Sequence, residues 1–168
     1  WYRSQEYYDS ATWRGTWEFD GGGALMNQGI HAIDLLQWFM GQADEVAAYT
    51  TTLAHERIEV EDTAVASLKF SNGALGIIEA STAAYPGFLK KLEICGSKGS
   101  VVMEEESITK WEFAEELPED KQIRADLSHN THTGGGSSDP KAISFEAHRM
   151  LFSAFIESII KDGPFDLG

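Results

Sequence analysis

Asn27, His31 and Asp34 stand at i, i+4 and i+7, the spacing that gathers residues along one side of a helix. An imidazole titrates near neutrality and can trade a proton with a hydroxyl compound, while a neighbouring amide and carboxylate fix its tautomer and orientation. A second chemical grouping lies upstream. Trp13 and Arg14 set a planar aromatic beside a permanent cation, a pair suited to stacking on a flat ring and gripping a phosphate or carboxylate. A third candidate is His132, which follows His129 and precedes Gly134-Gly135-Gly136 in a stretch with little periodicity. Two histidines without further converging ligands do not make a zinc site, so no metal is expected. The long segment from Ala114 to Asp139 is expected to be a loop covering substrate, with His132 in it.

Such side chains need a rigid bed. The stretch GGGALMNQGIHAIDLLQWFMG, Gly21 to Gly41, predicts a helix of about four turns. Leu25, Gly29, Ala32, Leu36 and Phe39 fall on its apolar side, flanked by Ile33 and Met40, and Asn27, His31, Asp34 and Trp38 fall opposite. Gly29 and Ala32 are small enough to let this helix lie close on a sheet or a second helix.

The strands follow the helix. Ala43 to Ala54 is rich in threonine and valine. Thr63 to Phe70 alternates, with Ala64, Ala66, Leu68 and Phe70 on one side. Asn72-Gly73 predicts a two-residue hairpin turn with both residues at positive φ, leading into a strand from Ala74 to Ala83. Leu89 to Cys95, Val101 to Met103 and Ile108 to Phe113 complete an antiparallel set. Strands with helices before and after them predict an α+β fold.

The flanks read less distinctly. Trp1 to Gln5 is expected to be a short strand, Glu6 to Arg14 a loop, and His55 to Glu61 an exposed charged connection. Cys95 reads as a small core residue. Asp139-Pro140 predicts the start of a core-facing helix that runs to about Lys161 and ends at Gly163-Pro164.

The 168 residues fit a single domain. A formal charge of −14 leaves no basic stripe for nucleic acid and speaks against an anionic membrane surface. One cysteine excludes an intramolecular disulfide. The chain starts at a tryptophan and stops in the turn-like GPFDLG, as expected of a piece cut from a longer protein.

The central stretch GGGALMNQGIHAIDLLQWFMG closely resembles the signature of the Gfo/Idh/MocA oxidoreductases. YYDSATWRGTW, ICGSKGSVVM and SSDPKAISFEAHRMLFSAFIESIIKDGP resemble further parts of the same family's second domain. The resemblance implies an open, mainly antiparallel sheet with helices packed on one face, like the C-terminal domain of glyceraldehyde-3-phosphate dehydrogenase. It also implies a missing N-terminal Rossmann domain that binds NAD or NADP, since no Gly-x-Gly-x-x-Gly after a strand and no Glu-Lys-Pro motif are present. Residues 1–168 would then be the C-terminal domain alone, inactive by itself.

By the same resemblance His31 matches the catalytic histidine. Asn27 matches a position where many members carry aspartate, so its amide can orient substrate but not relay a proton. Asp34 and His132 are the substrate-side candidates, and Trp13 and Arg14 match a pair that reaches the cofactor. The implied protein is a cytoplasmic homo-dimer or tetramer assembled through the sheet, acting on a sugar, polyol or related hydroxy compound. A non-catalytic sugar sensor or scaffold that keeps the fold, and a free-standing ligand-binding domain, are the alternatives.

Overall fold

The computed structural model describes residues 1–105, 107–127 and 145–165. It is α+β, with antiparallel strand pairing throughout. The elements run α1 (Gln5–Asp9), a π-helical turn (Leu25–Gly29), α2 (Ile30–Met40), β1 (Ala43–Thr51), β2 (Thr63–Phe70), β3 (Leu75–Ser81), β4 (Lys91–Gly96), β5 (Gly99–Glu104), β6 (Ser107–Phe113), α3 (Pro118–Leu127) and α4 (Glu146–Lys161). The strands form two ladders, β1-β2-β3 and β4-β5-β6, each in chain order.

The first ladder carries the site. In β2 the expected alternation holds: Ala64, Leu68 and Phe70 are buried while Val65, Ser67 and Lys69 are exposed. The π-helical turn lies on this inner face, where a Cβ built on Gly29 would come 3.8 Å from that of Ala80 on β3. That is an ordinary van der Waals distance, so the spacing accommodates a residue as small as glycine or alanine at this position.

The β2–β3 turn corrects the two-residue reading. Gly73 has φ 85°, but Asn72 is not at positive φ. The connection is Ser71-Asn72-Gly73, closed by Phe70 N–H to Ala74 O at 2.9 Å and Gly73 N–H to Phe70 O at 2.8 Å. Three-residue hairpins of this kind place only the last residue in the left-handed region, which glycine fills without strain. Asn72 acts through its side chain instead, with Oδ1 accepting from Ala74 N–H at 2.9 Å.

Other expectations fail for identifiable reasons. Residues 5–9 are helical rather than loop, because Ser4 caps the turn by accepting from the Tyr7 N–H at 3.4 Å. Within the segment read as loop, α3 begins with Pro118, carries Glu119 and Asp120 in its first turn and Arg124 in its last, an ordering that suits the helix dipole. Asp120 ties it to β6 by accepting from Trp111 Nε1 and Leu117 N–H, both at 2.7 Å. Cys95 is exposed, not buried. Helix α4 ends at Lys161 as expected, with Asp162 in the left-handed conformation. Its apolar side chains are not core, however: Leu151, Phe155 and Ile159 are all exposed. The Asp139-Pro140 start expected for that helix lies outside the described residues.

Candidate active site

The helix that carries His31 is held at its start by a neighbour in space rather than by its own cap. Glu61, just before β2, reaches its carboxylate to Gly23 N–H at 3.2 Å and Leu25 N–H at 3.0 Å, and its backbone oxygen accepts from Ala24 N–H at 2.9 Å. Three otherwise unpaired donors at a helix start are thereby satisfied, and a negative charge sits at the positive end of the helix dipole. The contact is so close that a Cβ on Gly23 would run into the Glu61 backbone oxygen. Sequence reasoning missed Glu61. The signal was there in IEVE, where Ile58 and Val60 alternate with Glu59 and Glu61.

Asn27, in the π-helical turn, and His31 and Asp34, on α2, are all exposed, as is Trp38. No hydrogen bond engages either His31 ring nitrogen among the described residues, so the imidazole is open to a ligand. Asn27 is partly committed, since its Nδ2 donates to Gly22 O at 2.8 Å. The amide thus braces the helix start, leaving its carbonyl oxygen for other use. Phe39, expected on the apolar side, is 59% exposed and lies parallel to Trp38 at 5.8 Å between ring centroids. A concavity of about 500 Å³ opens beside the helix start between Trp17, Leu25, Met26, Thr51 and Glu61. Another of about 520 Å³ lies along β5 and β6, and neither concavity is lined by a residue of the predicted set.

Trp13 and Arg14 form a separate group. Their loop is fixed by Gly15 N–H to Asp20 Oδ2 and Glu59 N–H to Gly15 O, both at 2.7 Å. The Arg14 guanidinium lies 4.1 Å from the Tyr7 ring centroid and 4.9 Å from that of Trp13. It makes no ion pair among the described residues, and its Nε–H is buried with no acceptor. A donor left in that condition fits an anionic oxygen brought by a ligand. Among the described residues no hydrogen bond or ring contact joins this group to the His31 face. His132 lies outside the described residues.

The connection read as exposed is so at Glu56, Arg57 and Glu59, but it opens on a buried polar cluster formed by His55 with Asp62. His55 is 8% exposed and Asp62 fully buried. Asp62 accepts from the backbone of Leu53, Ala54 and His55 at 2.9, 2.8 and 3.1 Å, from His55 Nδ1 at 2.9 Å and from the Thr63 hydroxyl at 3.1 Å. Burial, the largest single influence, opposes ionisation, but the N–H groups of Ala54 and Leu53, the imidazole and the hydroxyl outweigh it and hold the carboxyl below the usual range. His55 Nε2 lies 2.7 Å from Arg3 O, so this ring is fully engaged and braces the N-terminal segment. Its place is structural.

Comparison with known proteins bears on what such a helix serves. The family profile described as the GFO/IDH/MocA C-terminal domain matches residues 1–102. The chain belongs to the GFO/IDH/MocA family. Among curated proteins of known sequence, a myo-inositol 2-dehydrogenase of Thermotoga maritima is 38% identical over 84 residues, covering 48% of this chain and 25% of that protein. The uncharacterized oxidoreductase YrbE of Bacillus subtilis is 36% identical over 83 residues, covering 47% of this chain and 24% of that protein. Among solved structures, the WlbA dehydrogenase of Bordetella pertussis, in complex with NADH and UDP-GlcNAcA, is 48% identical with a TM-score of 0.68, covering 74% of this chain and 38% of that one. This GFO/IDH/MocA chain thus spans about a quarter of the curated relatives it matches and under two-fifths of that solved chain. Among the described residues no group of His, Cys, Asp and Glu is placed to hold a metal ion, and no helix is long and apolar enough to cross a membrane.

Proposed function

We propose that residues 1–168 are the substrate-side, C-terminal domain of an NAD(P)-dependent dehydrogenase that oxidises a hydroxyl group of a sugar, with an N-terminal Rossmann domain completing the enzyme. The observation that carries this reading is an exposed, uncommitted His31 on a helix whose start is locked from outside by Glu61. The 48% identity to a dehydrogenase bound to UDP-GlcNAcA supports nucleotide-linked sugars as the substrate class. The same likeness favours NAD(H) over NADP(H) as cofactor.

In this reading His31 accepts the substrate hydroxyl proton as the carbonyl forms, and returns it to solvent. The cofactor supplies the hydride acceptor when bound. Arg14, with its unfilled Nε–H and its stacked plane, holds an anionic oxygen of that cofactor, and the exposed Trp13 ring offers a face to it. Asn27 and Asp34 flank His31 and orient the sugar by hydrogen bonds; His132 is placed with them only by its sequence. The outer face of the β1-β2-β3 ladder is where copies of the enzyme meet. A second reading, a sugar-binding protein without catalysis, is favoured by one detail: the Asn27 amide is turned back on Gly22 O, as a purely structural residue would be.

The test uses the full-length protein with NAD and a UDP-linked N-acetylated uronic sugar. Formation of NADH is expected, and His31→Ala should lower kcat by about 10²–10⁴-fold while leaving the NADH dissociation constant unchanged. Binding of NADH and sugar without turnover by the wild type supports the second reading instead. Unchanged kcat in the variant removes His31 from the chemistry.

A further inference from the structure

The aromatic residues of the N-terminal segment are interleaved with its two arginines in space as well as in sequence. Arg3 Cζ stands 5.0 Å from the Trp1 ring centroid and 5.4 Å from that of Tyr7. Arg14 Cζ stands 4.1 Å from Tyr7 and 4.9 Å from Trp13. The order is therefore Trp1, Arg3, Tyr7, Arg14, Trp13, a ladder of alternating rings and guanidinium groups. Tyr7 is its middle rung and touches both cations.

The ladder is anchored from below. Tyr7 sits in α1, whose first turn is capped by Ser4. The adjacent Tyr8 is buried, its hydroxyl 2.9 Å from Thr82 Oγ1 and its ring 4.6 Å from the His55 centroid. His55 in turn holds Arg3 through its backbone oxygen. Rigid elements thus fix the rings, and the rings fix the guanidinium planes.

We propose that Tyr7 is a positioning residue for Arg14, holding the guanidinium flat and charged so that its N–H edge receives an anionic group of the ligand. The proposal rests on the reading of Arg14 as a cofactor contact. A surface arginine is ordinarily oriented by a carboxylate, which also spends its charge. With 27 acidic residues in this chain, Arg14 nonetheless meets none among the described ones. Aromatic faces orient a guanidinium without neutralising it or occupying its in-plane donors. Binding then loses little side-chain freedom, since the plane is set beforehand. Nothing in this arrangement needs the Tyr7 hydroxyl; what matters is the ring face.

The experiment measures NADH affinity of the full-length enzyme by fluorescence titration, with kcat and thermal stability alongside. Tyr7→Phe keeps the face and should bind as the wild type does. Tyr7→Leu should weaken NADH binding by about five- to tenfold with kcat at saturation retained. In an Arg14→Ala background the same change should have no further effect, since the rung would have nothing to position. Tyr7→Met, ringless but longer and more adaptable than leucine, serves where Tyr7→Leu fails to fold. Wild-type affinity in the ringless variants, or an undiminished loss in the Arg14→Ala background, overturns the proposal. Wild-type affinity in Arg14→Ala overturns the cofactor reading of Arg14 together with it. A weakened Arg14→Ala beside an unaffected Tyr7→Leu overturns this proposal alone.

Discussion

Two histidines of this chain occupy opposite physical situations, and the difference decides what each can do. His31 projects from α2 with its ring nitrogens open, whereas His55 sits 8% exposed between the Asp62 carboxylate and the Arg3 carbonyl. Spacing identified the first, because neighbours along one helix face are fixed by local geometry. It could not identify the second, whose acceptor on Arg3 is 52 positions away and whose surroundings, HERIEVED, look solvated by residue type. Burial of a polar cluster depends on contacts that periodicity does not record. Asp62 is where this cluster is most exposed to perturbation. Its carboxyl is held below the usual range, so its ionised form stabilises the fold fully above the unfolded value of about 3.9 and ceases to do so as pH falls through the lower folded value. Unfolding titrations of the full-length protein should show stability declining below about pH 4. Asp62→Asn should cost roughly 3–5 kcal/mol at neutral pH, because an amide cannot accept from all these donors and leaves buried groups unpaired. Equal stability of the variant at neutral pH would show that the cluster is not holding the segment.

At the scale of elements, the helix bearing His31 was legible in its length, its closing Gly41 and its outward polar face, but its capping was not. The Glu61 carboxylate arrives from 36 to 38 positions downstream and replaces a local capping residue. The hairpin at Asn72-Gly73 was legible in place and not in type, since the same dipeptide serves in two- and three-residue connections. Helices α1 and α3 were readable in principle from Ser4 and from Pro118-Glu119-Asp120; the absence of a long apolar period drew attention away from their ends. The Glu61 contact leads to a prediction. Gly23→Ala would place a methyl group on the Glu61 backbone oxygen, so the helix start must shift or separate from β2. Glu61→Ala keeps the space and removes only the carboxylate, which should cost about 1–2 kcal/mol as a lost cap. Both should lower the melting temperature, and Gly23→Ala should also lower kcat, because His31 lies eight residues along the same rigid unit. Wild-type kcat in a folded Gly23→Ala enzyme would show that the position of His31 does not depend on that start.

For the whole molecule, the distribution of apolar surface is the informative quantity. Directly paired residues of antiparallel strands share a face, so the outer side of the first ladder carries Tyr49 opposite Val65, with Ile77 (opposite Ser67) and Leu75 (opposite Lys69) on the same side and Glu79 opposite Val65 on β3. Tyr49, Val65, Ile77 and Leu75 are 81%, 45%, 85% and 79% exposed. Helix α4 is similarly bare, with Phe152, Ile156 and Ile160 exposed along one stripe, as in a helix made to be covered. The chain spans 38% of a solved relative, and in the full-length enzyme proposed above the Rossmann domain would cover one of these surfaces. For the sheet face a second copy is the better match, because exposed apolar side chains grouped on one side of a strand ladder can meet their own image about a two-fold axis. In such an interface each substitution occurs twice. Ile77→Lys would put two charges at the centre of the contact and remove two buried side chains, each worth about 1.5–3 kcal/mol. Sedimentation of the full-length enzyme should therefore show an oligomer that Ile77→Lys weakens by about 100-fold or more in dissociation constant, with His31-dependent turnover per chain reduced only where assembly is required for it. An Ile77→Lys enzyme that sediments as the wild type does would assign this face to intramolecular cover instead, and would leave α4 as the surface through which copies could meet.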